Sequence, residues 1–533
     1  AMGALTIWIC LAGMRRGFTA RLALLLGVVL GLSALMKITA IFMLPAAVFA
    51  VAAWGWRART PLRQTALLAG LVLAGAAASG GWWYARNLIL YGEPTAVNVN
   101  LQAYGGRTLA QGVAVWNQAL PYAWTTFWGR FGHGDVVLPS FFYIGLAVFC
   151  MVALAGLVLA WRRSLWVPRP EFAFLALAGV LEFFGLLGYL TLSPSGYMGR
   201  YTFPALPAYG MLLAVGWLAL ATPRARRWVS GGIVAGFAGL GAFVWAAYLV
   251  PVYSPPPALA GLPAAATRLD AVLGGVAILR GYEIRPQTVR PGERVDVTLY
   301  WETVAPTDLP YSVYIHLIDQ EQTLVAQHDT YPGLGRYPTT AWRPGHLFAD
   351  TYKVELPATA YAPGVLQVSA GLWQTETGDR AFLLDSSGQP VAADVSLGQI
   401  SLAANPGSIP NAVGLNFGGQ WTLGGYALST RTLKPGAAFQ LVTYWTGTGG
   451  APASLFVHVT GDDGRMWVNA SQPIATGKQT LDLRLAPDAP AGLYSLVVGV
   501  FENGGKQDRL PLLGDDGHEI DSQIRLTGVR AVP

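Results

Sequence analysis

The chain has 533 residues, too many for one ordinary domain, and is 53% apolar but only 12% charged. Residues 1–250 hold 17 basic and 4 acidic side chains, net +13, and residues 251–533 hold 18 and 25, net −7. The overall +6 therefore describes neither half and gives no ground for a nucleic-acid partner. The two cysteines, Cys10 and Cys150, both lie in apolar runs, so the second half has no disulfide framework.

Apolar runs of roughly 17–25 residues span about 30 Å of hydrocarbon. The sequence predicts a shortened span at about 1–14, then spans near 19–36, 38–56, 65–85, 139–161, 171–192, 202–221 and 229–250, about eight in all. The second and third nearly touch at Lys37 and read as two spans or one bent, re-entrant unit. The start, "AMGALTIW", is apolar at once, with no basic leader region; a chain beginning inside a helical bundle is expected.

Alternate loops carry three basic residues each: Arg15, Arg16 and Arg21; Arg57, Arg59 and Arg63; Arg162, Arg163 and Arg169; Arg224, Arg226 and Arg227. Basic loops stay in the cytoplasm. The opposite side, with Lys37, Arg86, Arg107, Arg130 and Arg200 thinly spread, is then external, as is everything from residue 251 onward. The loop of about 86–138 is rich in aromatics, including Trp116, Tyr122, Trp124, Phe127, Trp128 and Phe131. These suit an interfacial belt, or the wall or lid of a groove for a lipid-linked substrate.

Residues 251–269, with "VYSPPPALAGLPAA", read as a Pro-rich spacer. Beyond them short alternating strands and Pro-Gly turns predict all-β sandwiches, immunoglobulin-like or jelly-roll-like. The pattern occurs twice. "LRGYEI" (279–284) matches "LGGYAL" (423–428), and "VRPGERVDVTLYW" (289–301) matches "LKPGAAFQLVTYW" (433–445). "PGVLQVSAGLW" (363–373) matches "AGLYSLVVGVF" (491–501) at a smaller offset, so the first copy carries about 16 extra residues around "YPGLGRYPTTAWRPGH". Two repeats at 270–403 and 414–533, joined by a linker at 404–413, are expected.

Each copy has a strand histidine followed by an acidic turn, His316 with Asp319 and His458 with Asp462. Equivalent placement points to a structural role in the sheet. Zinc needs three or four convergent ligands, and the sequence shows no such cluster, so no metal is expected. Asp462-Asp463-Gly464 reads as a hairpin turn. Trp301 and Trp445 fall at core positions; Trp342 and Trp373 suit core packing or sugar stacking. Asn469-Ala470-Ser471 fits a glycosylation sequon. No Walker loop, G-x-G-x-x-G or nucleophile elbow is present, and no cofactor is expected.

The first half has four carboxylates, Glu93, Asp135, Glu171 and Glu182, of which Glu182 lies inside a predicted span. Lys37, Arg86 and Arg200 share one expected membrane level. They are either helix-end side chains snorkelling to the interface or a grip for phosphate or pyrophosphate. "GRYTFPALPAYG" (199–210) places Arg200 and Tyr201 ahead of Pro204 and Pro207. Pro204 is tolerated in a first helical turn, whereas Pro207 kinks the helix or delays its regular start.

"GLSALMKITAIFMLP" (31–45), "WWYARNLILYGEP" (82–94) and "GRYTFPALP" (199–207) resemble the polytopic bacterial glycosyltransferases of the GT-C class, nearest to the protein-mannosyltransferase-like and aminoarabinose-transferase-like enzymes. The resemblance covers most of residues 1–250. The tandem β repeats resemble external domains attached to such transferases. The resemblance implies an inverting transfer of sugar from a polyprenyl-phosphate carrier to a lipid, glycan or protein acceptor on the outer face of the bacterial cytoplasmic membrane. It also implies that Arg200 and Tyr201, with Arg86 and Lys37, face the carrier phosphate. The family's catalytic carboxylate lies in an early outer loop that has no counterpart here, so no catalytic residue is assigned and the fragment alone is expected to be inactive. Two other readings stand beside this one: a non-enzymatic envelope protein displaying two binding sandwiches, and a transporter or carrier-lipid flippase.

Overall fold

The computed structural model describes residues 2–104, 106–132, 134, 136–163, 169–193, 197–447, 452–504, 508–514 and 519–533. Contacts divide the chain into two compact units, Ala1–Val250 and Pro251–Asp515 with Glu519–Pro533. The first is helical and the second is built of β-sheets.

Among the described residues, six helices are long and apolar enough to cross a membrane: Ile38–Arg57, Leu62–Tyr91, Ser140–Arg162, Arg169–Leu192, Gly199–Leu220 and Arg226–Tyr253. Ala20–Met36 and Met2–Arg16 are shorter, with 17 and 15 residues. The exposed faces are themselves apolar: Met151 is 69% exposed and Val234 70%. Such surface is costly in water and suits hydrocarbon. Inside, Ile7, Leu26, Ala46, Val72, Phe174 and Ala208 belong to one buried cluster.

Small residues set the spacing of the helices. A Cβ on Gly27 would meet the Val72 carbonyl oxygen at 2.2 Å, and one on Gly31 the Ala76 carbonyl oxygen at 2.4 Å. Gly27 and Gly31 are one turn apart, so Ala20–Met36 and Leu62–Tyr91 meet backbone to backbone along a small-residue stripe. The Leu62–Tyr91 helix contains a π turn at Ala77–Gly81, where Ser79 Oγ donates to the Val28 carbonyl at 3.2 Å. It ends at Tyr91, past the expected 85, where Gly92 forms a left-handed cap. At one end of the bundle Glu171 is buried and held by Arg57 at 3.1 Å, while Arg57 also donates to the Met14 carbonyl. That contact joins the 2–16, 43–57 and 169–192 helices.

The second unit repeats one plan twice. In the first copy, one sheet has the strand order Pro390–Ala392, Leu383–Leu384, Thr267–Leu273, Ala277–Arg285, Arg294–Thr303, Leu347–Glu355. The other has Thr288–Val289, Val395–Leu402, Gly364–Gln374, Tyr311–Ile318, Leu324–Thr330. The second copy reproduces both, from Ala412–Phe417 to Ile524–Ala531. Both copies also place one short parallel strand, 288–289 or 432–433, against the last long strand of an otherwise antiparallel sheet. The inward faces of each sheet pair form one core, around Trp301 in the first copy and Trp445 in the second. The first strands begin at Thr267 and Ala412, ahead of the expected 270 and 414, because pairing with the next strand already starts there, Thr267 with Tyr282 and Ala412 with Gly425. Leu259 N also donates to the Leu347 carbonyl, drawing part of the Pro-rich spacer onto the sheet.

Residues 331–346 fill the interval between strands 324–330 and 347–355, while the second copy crosses the same interval in three residues. They fold as short turns that insert Tyr337 and Trp342 into the first core, where Trp342 Nε1 donates to the Tyr337 carbonyl at 3.0 Å. Trp342 is therefore a core residue. Trp373 is half-buried.

Candidate functional site

Two short 3₁₀ segments pack together in the helical unit. Ile38–Phe42 joins the 20–36 and 43–57 helices, and Gly199–Ala205 leads into the α-helix Leu206–Leu220. Pro207 falls in the first turn of that α-helix, so regular structure begins only at Leu206. Lys37 Nζ donates to the Arg200 carbonyl at 2.7 Å and lies 4.9 Å from the centroid of the Tyr201 ring. Thr39 Oγ1 donates to the Tyr201 carbonyl at 2.9 Å. The Tyr189 ring meets Tyr201 edge-on at 5.5 Å.

Lys37, Arg200 and Tyr201 thus form one cluster. The Arg200 guanidinium is exposed and has no hydrogen bond or ion pair among the described residues. Arg86 is engaged elsewhere, 5.0 Å over the Trp83 ring and within 3.4 Å of Asn87 Oδ1. Glu93 accepts from Asn98 N at 2.6 Å, at the start of the Val97–Tyr104 helix. Asp135 lies outside the described residues.

Beside the cluster is an apolar cavity of ≈ 770 Å³. Its walls include Phe127 and Trp128 from the Trp116–Trp128 helix, Cys150 and Leu154, Phe183, and Leu213. Gly199, Thr202 and Tyr209 also line it, so the cavity reaches the segment that carries Arg200 and Tyr201. The size falls in the about 300–1,000 Å³ range of small-molecule sites. Trp124, Phe127 and Trp128 share a helical face by their spacing, the sequence signal for this wall. Gly199 N donates to Thr126 Oγ1 at 2.8 Å, fixing that helix against the 199–205 segment. Thr39, Thr202 and Tyr209 carried no signal in the sequence.

Glu182, on the 169–192 helix, is 1% exposed, and neither carboxylate oxygen has a hydrogen-bond partner among the described residues.

In the β unit the two strand histidines occupy one repeated setting. The Tyr314 ring covers Gly371 of the neighbouring strand, His316 packs 4.7 Å from that ring, and Arg380 lies 5.0 Å over it. Phe456, Gly499, His458 and Arg509 repeat the arrangement, with distances of 4.8 and 4.6 Å. An aromatic ring roofing a strand glycine is a packing device. Burial pushes both imidazoles below their usual value, and Arg509 adds to this at His458. Asp319 and Asp462 are not equivalent in environment. Asp319 is buried and accepts from Glu321 N and Thr323 N, whereas Asp462 sits in an exposed hairpin turn. Among the described residues no three His, Cys, Asp or Glu side chains are grouped as metal ligands.

No family model matches the chain. No curated protein matches it either. Among solved structures, it is similar to E. coli alpha-2-macroglobulin at 10% identity and a TM-score of 0.15, over 51% of this chain and 15% of that one. A DUF4785 family protein from Legionella pneumophila gives 9% and 0.14, over 47% and 56%. A mutant Salmonella alpha-2-macroglobulin gives 12% and 0.14, over 46% and 16%. The chain thus spans about a sixth of the length of the two macroglobulins and little more than half of the DUF4785 protein, and similarity of this degree bears on neither fold nor function.

Proposed function

We propose that residues 1–250 bind a polyprenyl-phosphate-linked sugar and belong to a GT-C-like membrane glycosyltransferase of the bacterial cytoplasmic membrane. In this reading the basic loops are cytoplasmic. Lys37, Arg200 and the β unit are external, and the β unit consists of two immunoglobulin-like sandwiches that meet the lipid, glycan or protein acceptor. The supporting observation is the apolar cavity reaching the 199–205 segment beside Lys37, Tyr201 and the unengaged Arg200 guanidinium. A prenyl chain matches the aromatic walls. The phosphate matches a guanidinium that offers paired donors and a lysine with two N–H groups left after its bond to the Arg200 carbonyl. Arg86, 5.0 Å over the Trp83 ring and 3.4 Å from Asn87 Oδ1, is a further phosphate contact in this reading.

The test is saturation binding of a C20 polyprenyl methyl phosphodiester to the detergent-solubilised chain. A charge-assisted hydrogen bond contributes about 1.5–3 kcal/mol, so Arg200→Ala weakens binding by roughly 10- to 150-fold. Equal affinity of wild type and Arg200→Ala would reduce Arg200 to an interfacial anchor. A second reading, translocation of the carrier lipid, draws on the paired interruptions at 38–42 and 199–205 beside buried Glu182, since broken helices around an ionisable residue are a transporter feature. Flipping of a fluorescent polyprenyl phosphate in proteoliposomes separates that reading from transfer.

A further inference from the structure

We propose that Glu182 is a positioning residue that acts through Lys37, taking up one proton when a phosphate anion binds at Lys37 and Arg200. The inference rests on the reading of that cluster as a phosphate site.

The carboxylate is enclosed from both sides along its own helix. One turn before it, Gly179 lies under Tyr209, whose hydroxyl donates to the Gly179 carbonyl at 2.7 Å. One turn after it, Gly185 lies under Phe42, the last residue of the 38–42 segment. A Cβ at either glycine would collide with those rings, at 2.8 and 2.3 Å. Small residues at 179 and 185 thus allow the two aromatics to close around Glu182. The closure leaves it 1% exposed and without a hydrogen-bond donor among the described residues. An enclosed carboxylate with no donor is costly to keep charged unless a cation compensates it.

Lys37 is that cation. It starts the 38–42 segment, whose last residue, Phe42, covers Gly185 one turn from Glu182, and its ammonium reaches the Arg200 carbonyl. Other titratable groups facing this region are Tyr189, on the same helix as Glu182, Tyr209, on the 206–220 helix, and Arg200 and Tyr201, on the 199–205 segment. The 43–57 helix contributes Arg57, and that side chain is bound to Glu171, three turns away along the 169–192 helix. The 2–16 helix contributes Arg15 and Arg16 at its last turn.

A bound phosphodiester brings a second anion to the one lysine that compensates Glu182. Two anions sharing a cation in a low-dielectric site cannot both stay charged at little cost, and the carboxylate, the weaker acid of the two, takes the proton. The balance is one carboxylate plus one proton from the buffer giving one carboxylic acid. The neutral carboxyl then leaves the whole charge of Lys37 to the phosphate. Binding and proton uptake are therefore linked.

The experiment uses the full chain in detergent and a C20 polyprenyl methyl phosphodiester, which carries one negative charge throughout about pH 5–9. Titration calorimetry in buffers of different ionisation enthalpy counts the protons taken up. At the alkaline end of that range, where the free carboxyl is ionised, the expected result is an uptake approaching one proton and a Kd that rises about tenfold per pH unit. Glu182→Gln, which keeps shape and removes the charge, should bind with a Kd that changes less than about twofold over that range. An unchanged pH slope in Glu182→Gln overturns the proposal, as does zero proton uptake by the wild type, a measurement that does not depend on the variant folding. Absence of binding by the wild type at every pH overturns the phosphate-site reading and this inference with it.

Discussion

Arg431 offers a quantitative test of how the two β copies are joined. Its guanidinium carries 8% and the Asp319 carboxylate 4% of their free exposure, and Arg431 Nη2 donates to Asp319 Oδ2 at 2.6 Å. Arg431 Nε donates to the Gly528 carbonyl at 2.9 Å, and Nη2 also donates to Thr323 Oγ1 at 3.0 Å. Around this pair, the Tyr426 hydroxyl donates to the Thr359 carbonyl and Ala362 N donates to Asn411 Oδ1, each crossing between copies at 2.7 Å. Arg431→Met strands a buried carboxylate. Removing one partner of a buried pair costs about 3–5 kcal/mol. Asp319 keeps its two backbone N–H donors, which places the loss near the lower end, about 3 kcal/mol. At about 2–4 °C per kcal/mol for large domains, Tm falls by roughly 6–12 °C. The assay is urea and thermal unfolding of residues 251–533, followed by circular dichroism, with Asp319→Asn and the double variant completing a cycle. The double variant should be less destabilised than the sum of the single ones. Single-variant losses within about 0.5 kcal/mol would show the pair to be solvated and would refute the lock.

Two further outcomes are expected. Ala176→Phe narrows the apolar cavity from one wall, so it should weaken a C20 phosphodiester much more than a C5 one, measured by competition binding; equal weakening would place the chain elsewhere. Because His316 and His458 both hold their imidazoles below the usual value of about 6.5, the unfolded chain binds more protons below that pH, and stability should fall as pH drops from about 7.5 to 5.5. His316→Gln with His458→Gln should flatten that slope in urea unfolding at several pH values.

Long apolar runs made most of the helices readable: the expected 139–161 and 171–192 correspond to Ser140–Arg162 and Arg169–Leu192. The Leu62–Tyr91 helix outran its expected end because Arg86 and Asn87 end the apolar run without breaking the helix, which stops at the left-handed Gly92. The β repeat was legible because turn chemistry and core positions recur in register; at 331–346 the first copy has 16 residues against three, an excess of 13 where about 16 were expected. The candidate site was legible only in part. Arg200, Tyr201 and Lys37 stand out as charged or aromatic residues beside apolar runs. Their convergence depends on two non-α turns meeting across 163 residues, from Lys37 to Arg200, which local patterning does not encode. Arg86 has the same sequence signal and lies over the Trp83 ring of its own helix. Glu182 is conspicuous as a charge inside a span, but its lack of a donor follows from how Tyr209 and Phe42 pack over neighbouring glycines.

Photo-crosslinking with a diazirine-bearing polyprenyl phosphodiester, read by peptide mass spectrometry, tests the carrier-lipid claim most directly. The account predicts labels on the cavity residues Phe127, Phe183 and Leu213 that are competed by unlabelled probe and lost in Arg200→Ala. Labelling confined to the exposed faces around Met151 and Val234, and unchanged in Arg200→Ala, would contradict it.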